Sequence, residues 1–395
     1  MKRRVITISL LLTLLIGAAC GGESDGGATE QGAGSGSDPV IVGLIFPLSG
    51  PSGPDGERVV EAVRVMAEII NDEGGVLGRN IEFVVKDDES TPAVGVARAN
   101  ELLQEDPQVV IEGWNSPVAL AMQQVFAEND VLDITAVAKN DDIMSGDTNP
   151  YPIRLNSANA QDGEPIAELL VDVLGAKRIA FLPQNDAFGE QVVDRIIEAA
   201  REHDPEIEVV AKASYPLAES DFRTPLETVR AANPDAVVVV NSAQASGLPA
   251  LISQYAESGI NAPLLASTAG LPPATLEVAG DAAEGILSAD TYHPGLPPFS
   301  EAERSVKYIE RHRAETGDDP EPLPTMAAAA LDVWAQAVER AGTFERVAVA
   351  EEIRGGTFDE TILGSTSLDE SGQREVEFIL LRVEDGVLTL VEKKD

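Results

Sequence analysis

Ser116 and Pro117 stand where an apolar stretch, Val109 to Ile111, gives way to Gly113-Trp114-Asn115 and then to a run with helical spacing. Serine is favoured as an N-cap and proline at the first helical position, which predicts a helix over Pro117 to Glu128 capped by Ser116. The free N–H groups and positive dipole end of such a helix favour an anion, and the Ser116 hydroxyl adds a donor. The same serine can also do no more than satisfy its own helix. Lys139 is notable because lysine is scarce, eight residues beside 67 acidic ones; it reads either as a solvated loop residue or as a charged donor to an anion. Trp114 and Phe188 offer aromatic faces that could cover a flat or apolar ligand, or simply pack under loops.

Nothing in the chain assembles a reaction centre. The segment GWNSP around Ser116 is not a nucleophile elbow, and His203, His293 and His312 are scattered without zinc-ligand spacing. Asp87 and Asp88 close a strand and are expected to face water. The expectation is a binding protein, not an enzyme, with no cofactor and no metal.

The only cysteine, Cys20, belongs to a different feature. Lys2, Arg3 and Arg4 precede an apolar run from Val5 to Ile16, followed by Gly17, Ala18 and Ala19, which together read as a secretory signal over residues 1–19. Cys20 would then become the first mature residue. Small residues before it resemble the bacterial lipobox, with Gly17 where leucine is usual, so Cys20 is read as a lipidation site. Several acyl chains would anchor firmly where one binds marginally. The segment GGESDGGATEQGAGSGSD up to Asp38 has no apolar periodicity and is expected to be a flexible tether.

The formal net charge of −39 repels phosphate backbones and anionic lipid headgroups, which argues against nucleic-acid binding. The remainder of the chain exceeds what one hydrophobic core usually serves, so two domains are expected.

Apolar strands and helical stripes alternate throughout. The first unit is strand Val40 to Phe46, a turn-rich loop PLSGPSGPDG, and a helix over Glu57 to Asn71 with Val59, Val63, Met66 and Ile70 on one face. Strands Ile81 to Lys86, Val109 to Ile111 and Val131 to Thr135 continue it with helices Ala93 to Gln104 and Pro117 to Glu128. A second series runs through strands Arg178 to Leu182, Ile207 to Ser214 and Ala236 to Val240. Long helices return at Glu301 to Glu315 and Thr325 to Ala341, and the chain closes with strands Glu375 to Arg382 and Val387 to Val391. The fold class is therefore α/β with two doubly wound parallel-sheet lobes. Ligands of open α/β sheets bind beyond the carboxyl ends of the strands, so facing lobes make a cleft.

FPLSGP after the first strand, INDEGGVLGRNIEFVVKDDES after the first helix, DAFGE at Asp186 to Glu190 and AGDAAEGIL at Ala279 to Leu287 resemble, in this order and spacing, the branched-chain amino-acid binding proteins of ABC transporters, with the type I periplasmic binding fold. Within these segments Gly74 and Gly75 follow a helix where positive φ is needed, and Gly78 suits a turn. The resemblance implies a three-crossover hinge near Asn156 to Asn159, Asp290 to Tyr292 and Gly364 to Ser367. It divides the chain into lobe 1 (residues 39–157 and 291–365) and lobe 2 (158–290 and 366–395).

By the same resemblance Ser116, Lys139 and Val137 meet a ligand carboxylate, with Asn115 beside them, and Trp114 and Phe188 line the pocket. Ser49 and Gly50, after the first strand, and Gln244 are further contacts. The family's ammonium-receiving glutamate and tyrosine correspond to Thr268 and Asp55, which removes the main counter-charge for an amino group. The expected ligand is a small carboxylate or amide without an α-amino-acid head. The expected partners are a membrane ABC permease and, through the anchor, the membrane, with the protein a monomer outside the cytoplasm. A ligand-sensing module for a membrane signalling partner is the other reading, the lesser one because no output domain follows Asp395.

Overall fold

The computed structural model describes residues 38–145 and 151–391. The signal segment, Cys20 and nearly all of the tether lie outside the described residues. Among those described, no helix is long and apolar enough to cross a membrane.

Lobe 1 opens with β1 (Val40–Phe46), α1 (Gly53–Asp72), β2 (Ile81–Asp87), α2 (Pro92–Leu102), β3 (Val109–Glu112), α3 (Ser116–Glu128) and β4 (Asp133–Thr135). Its parallel sheet has the order β2-β1-β3-β4. β1 and β3 are central strands covered on both faces, which is why they read as unbroken apolar runs. Gly74, Gly75 and Gly78 all have positive φ, as the turn from α1 to β2 requires.

Lobe 2 follows with α4 (Asn159–Glu168), β5 (Arg178–Pro183), α5 (Ala187–His203), β6 (Glu208–Lys212), α6 (Arg223–Ala232), β7 (Ala236–Val240), α7 (Gly247–Glu257), β8 (Leu264–Ala266), α8 (Pro273–Ala279) and β9 (Leu287–Asp290). The chain returns to lobe 1 for α9 (Glu303–Thr316), α10 (Pro322–Ala341), α11 (Arg346–Ile353) and the antiparallel pair β10 (Thr357–Thr361) and β11 (Gly364–Ser367). It ends in lobe 2 with β12 (Ile379–Glu384) and β13 (Val387–Leu390). The second sheet has the order β13-β12-β9-β8-β7-β5-β6. It is parallel except where β12 pairs antiparallel with both β9 and β13. α10, an alanine-rich helix buried nearly all round, packs with α1 in the lobe 1 core.

Two expectations change here. The third crossing does not lie at Gly364 to Ser367, because β11 is held in lobe 1 by its pairing with β10 and by Phe358, Ile362, Leu363 and Leu368, which sink into that core. The chain crosses between Leu368 and Ile379, which also shortens the last long strand to β12. There Gln373 Oε1 accepts from Arg154 Nε at 2.6 Å, Gln373 Nε2 donates to Asn156 O at 2.8 Å and Arg374 Nη1 donates to Leu155 O at 3.2 Å, so the first and third crossings form one hydrogen-bonded hinge. Nor does Asp88 face water: it is fully buried, and burial pushes its carboxyl up to about 7.

Candidate functional site

β3 ends at Glu112, and Gly113, with φ of +87°, swings the chain across the sheet edge. Trp114 and Asn115 follow, and α3 begins at Ser116 itself. Asn115 takes the extended conformation of an N-cap, although its side chain does not cap. Ser116 is thus the first helical residue, not the cap that was expected, and Pro117 the second. Its oxygen is consequently released from its own helix: Ser116 Oγ accepts from the amides of Lys139 and Asn140, each at 3.3 Å. With both lone pairs engaged, the hydroxyl hydrogen remains as a donor. The helix end itself offers less than expected, since Pro117 has no N–H and the amides of Val118 and Ala119 donate to Asn115 O.

Lys139, after β4, is not a solvated loop residue. It is 4% exposed, and its ammonium crosses to lobe 2, donating to Asp162 Oδ2 at 2.8 Å and to Thr268 O at 3.1 Å. Asp162 lies on α4, is itself 1% exposed, and keeps Oδ1 without a partner.

The facing wall comes from the carboxyl ends of lobe 2 strands. Asp186 caps α5 by accepting from the amides of Phe188 and Gly189, which sets Phe188 at the cavity. A Cβ on Gly189 would lie 2.1 Å from Gln184 O, so the DAFGE segment needs glycine for that close approach. Asn241, Ser242 and Gln244 follow β7, and Ser267 and Thr268 follow β8. Thr268 Oγ1 is buried without a partner, while Gln244 is anchored by its amide to Ala269 O at 2.8 Å.

Together Trp114, Ser116, Val137, Lys139, Phe188, Gln244 and Thr268 line one cavity, narrowed to about 30 Å³ of free space. Free space of that size holds no more than about two waters, so a solute enters only as the lobes part. Among the described residues, Lys139 is the only charged side chain in its lining. Leu323, at the start of α10, and Ser242 and Ser267 were not anticipated. The two serines sit just past apolar strands, the signal that could have found them, but β8 is only three residues long and has no readable periodicity.

Four anticipated residues lie elsewhere. Ser49 is exposed and donates to Asp87 Oδ2 at 2.7 Å; Asp87 also accepts from Leu48 N, so it ties down this loop. Gly50 is exposed beside it. Asn115 and Asp55 are buried at the seam between the lobes and outside the cavity lining. Asn115 Nδ2 donates to Ser52 Oγ and to Ser242 Oγ, both at 3.2 Å. Asp55 Oδ1 accepts from Ala245 N at 3.0 Å, with Arg58 at 3.6 Å. Burial pushes the Asp55 carboxyl up to about 7 although Arg58 opposes this.

Residues 39–387 match the family model described as periplasmic binding protein. A Leu/Ile/Val-binding protein homolog of Brucella abortus is 26% identical over 349 residues, covering 88% of this chain and 91% of its own. A protein of Pseudomonas aeruginosa named as binding leucine, isoleucine, valine, threonine and alanine is 26% identical over 340 residues, covering 85% and 87%. Among solved structures, a leucine-binding protein of Thermotoga maritima superposes with a TM-score of 0.80 at 24% identity, covering 89% of this chain and 98% of that one. The solute-binding protein of an ABC transporter from R. palustris, solved with benzoate, gives 0.79 at 22%, covering 89% and 95%. With two doubly wound lobes, a crossed hinge and a cavity at the strand ends, this chain belongs to the periplasmic binding protein family, with the type I fold.

Proposed function

We propose that this protein is the solute-binding component of an ABC importer, tethered outside the cytoplasm through lipid on Cys20 and acting as a monomer. It takes a small carboxylate- or amide-bearing solute into the interlobe cavity and delivers it to a membrane permease. The observation that carries this reading is the cavity itself: the Ser116 hydroxyl and the Lys139 ammonium converge on it from lobe 1, with the aromatic faces of Trp114 and Phe188 beside them. Donors at one end and apolar faces along the body suit an acceptor-bearing, flat or apolar solute. The ligands for which the relatives are named, branched-chain amino acids in some and benzoate in another, bracket that class.

A thermal-shift screen tests it with benzoate, 4-hydroxybenzoate, benzamide, short aliphatic carboxylates and the branched-chain amino acids. A ligand at ~100 times its Kd should stabilise the protein by ~2.7 kcal/mol. No stabilisation by any of these classes would reject the reading.

A further inference from the structure

We propose that Lys139 and Asp162 form an ammonium site built into the cleft, one that selects against any solute carrying its own ammonium group. The inference rests on the reading that the interlobe cavity is the ligand site. An ammonium entering a closed cleft needs a carboxylate and further acceptors to replace its water. Lobe 2 supplies such a pair, the Asp162 carboxylate and the Thr268 carbonyl, and Lys139 Nζ already holds both, at 2.8 and 3.1 Å. The cation is therefore delivered by lobe 1 on the lysine's own four-carbon stem.

Lys139, Asp162 and Thr268 are at most 4% exposed, so water screens little of what happens between them. A solute ammonium would meet Nζ as a like charge at close range, and among the described residues the cavity lining contains no carboxylate to offset it. Asp162 Oδ1 and Thr268 Oγ1 are the unpartnered polar atoms beside the pair. Neither compensates a second cation: Asp162 is already matched by Lys139, and the buried Asp290 carboxyl, which Lys139 also faces, is engaged by the amides of Thr291 and Tyr292. A carboxylate or amide solute meets no such conflict: it can accept from the Ser116 hydroxyl and from the third hydrogen of Nζ. Asp162 does not line the cavity and so acts as a positioning residue, holding Nζ where it both completes the wall and bars the cation.

The test compares two probes that differ only in the α-ammonium group, L-leucine and 4-methylpentanoate, by titration calorimetry. Wild type should prefer 4-methylpentanoate by at least tenfold. Lys139→Ala leaves Asp162 as a buried carboxylate without a cation, and should shift the preference toward L-leucine by at least tenfold. Lys139→Ala combined with Asp162→Asn should lose that gain. If Lys139→Ala fails to fold, Lys139→Met keeps the stem and makes the same prediction. Wild type binding L-leucine as tightly as 4-methylpentanoate, or folded single variants that stay blind to L-leucine, would overturn the inference. The gain of L-leucine binding needs no wild-type ligand, so it can succeed even where the solute screen finds nothing.

Discussion

A hydroxyl that accepts twice has one thing left to give, and at Ser116 that is the hydrogen. Ser116→Ala removes this donor and also strips the amides of Lys139 and Asn140 of their acceptor. Buried donors left unpaired cost ~1–3 kcal/mol, so the free variant should melt lower. Its affinity for a carboxylate solute should fall about tenfold, or ~1.4 kcal/mol. Calorimetry separates the two effects, and unchanged affinity in a variant of lowered stability would make Ser116 a loop anchor only. The lysine tells a complementary story. Its nearness to the strand ends that line the cavity was legible from the chain, but its partner was not: Asp162 reads locally as one more acid on an amphipathic helix, and only the meeting of two lobes turns it into a counter-ion. Ser49 shows the opposite error, since the loop after β1 contains several serines and glycines, and which of them turns inward is decided by Asp87 from β2.

At the scale of elements, strand ends positioned the site wherever the strands were long enough to read. β3 and β7 led to Trp114, Ser116 and Gln244, whereas the three-residue β8 is too short for a period and the β10–β11 pair carries too few apolar residues for one, which shifted the third crossing. Polar burial inside an element was equally hidden. Glu112 ends β3 in the lobe 1 interior, where it accepts from Thr135 Oγ1 at 2.7 Å and keeps Oε2 unpartnered. Burial, then the neighbouring carboxyl of Asp133, hold it well above the usual carboxylate range. Because its pKa is raised in the folded state, its contribution to stability is fully present below the unfolded value of about 4.3 and is lost as pH rises toward the folded one. Glu112→Gln keeps the shape without the charge, and should therefore raise the melting temperature more at pH 8 than at pH 5. Parallel melting curves against pH for the two proteins would contradict this.

For the whole molecule, closure is held by bonds that join one lobe to the other. Trp114 Nε1 donates to Ser242 O at 2.8 Å, Ser246 Oγ to Pro51 O at 2.8 Å and Asn140 Nδ2 to Ala187 O at 2.8 Å, so both rims and the centre of the cleft are stitched. A solute that touches both walls favours this arrangement by its differential affinity for it. Asp55 makes that equilibrium depend on protons. It accepts from Ala245 N across the seam, Oδ2 is buried without a partner, and the charged groups facing it are Arg58 on the same helix and Glu321 before α10. Burial in the closed form pushes Asp55 up to about 7, and burial also raises Glu321, with Arg58 opposing both. Opening returns Asp55 to water and to an ordinary value of about 3.9. Closing therefore takes up a proton between these limits, and solute affinity should rise as pH falls from 8 toward 5, by at most about tenfold per pH unit for one proton. Asp88 and Glu112 lie within lobe 1 and stay buried in either state, so they leave this slope untouched. Asp55→Asn keeps an oxygen for Ala245 while removing the ionisable group; its affinity at pH 8 should move toward the acid-side value, and its pH profile should flatten to the part that Glu321, Asp186 and Asp290, also raised by burial, supply. Dissociation constants from titration calorimetry at pH 5.5 to 8.5 decide the matter, with a flat wild-type profile excluding Asp55 from closure.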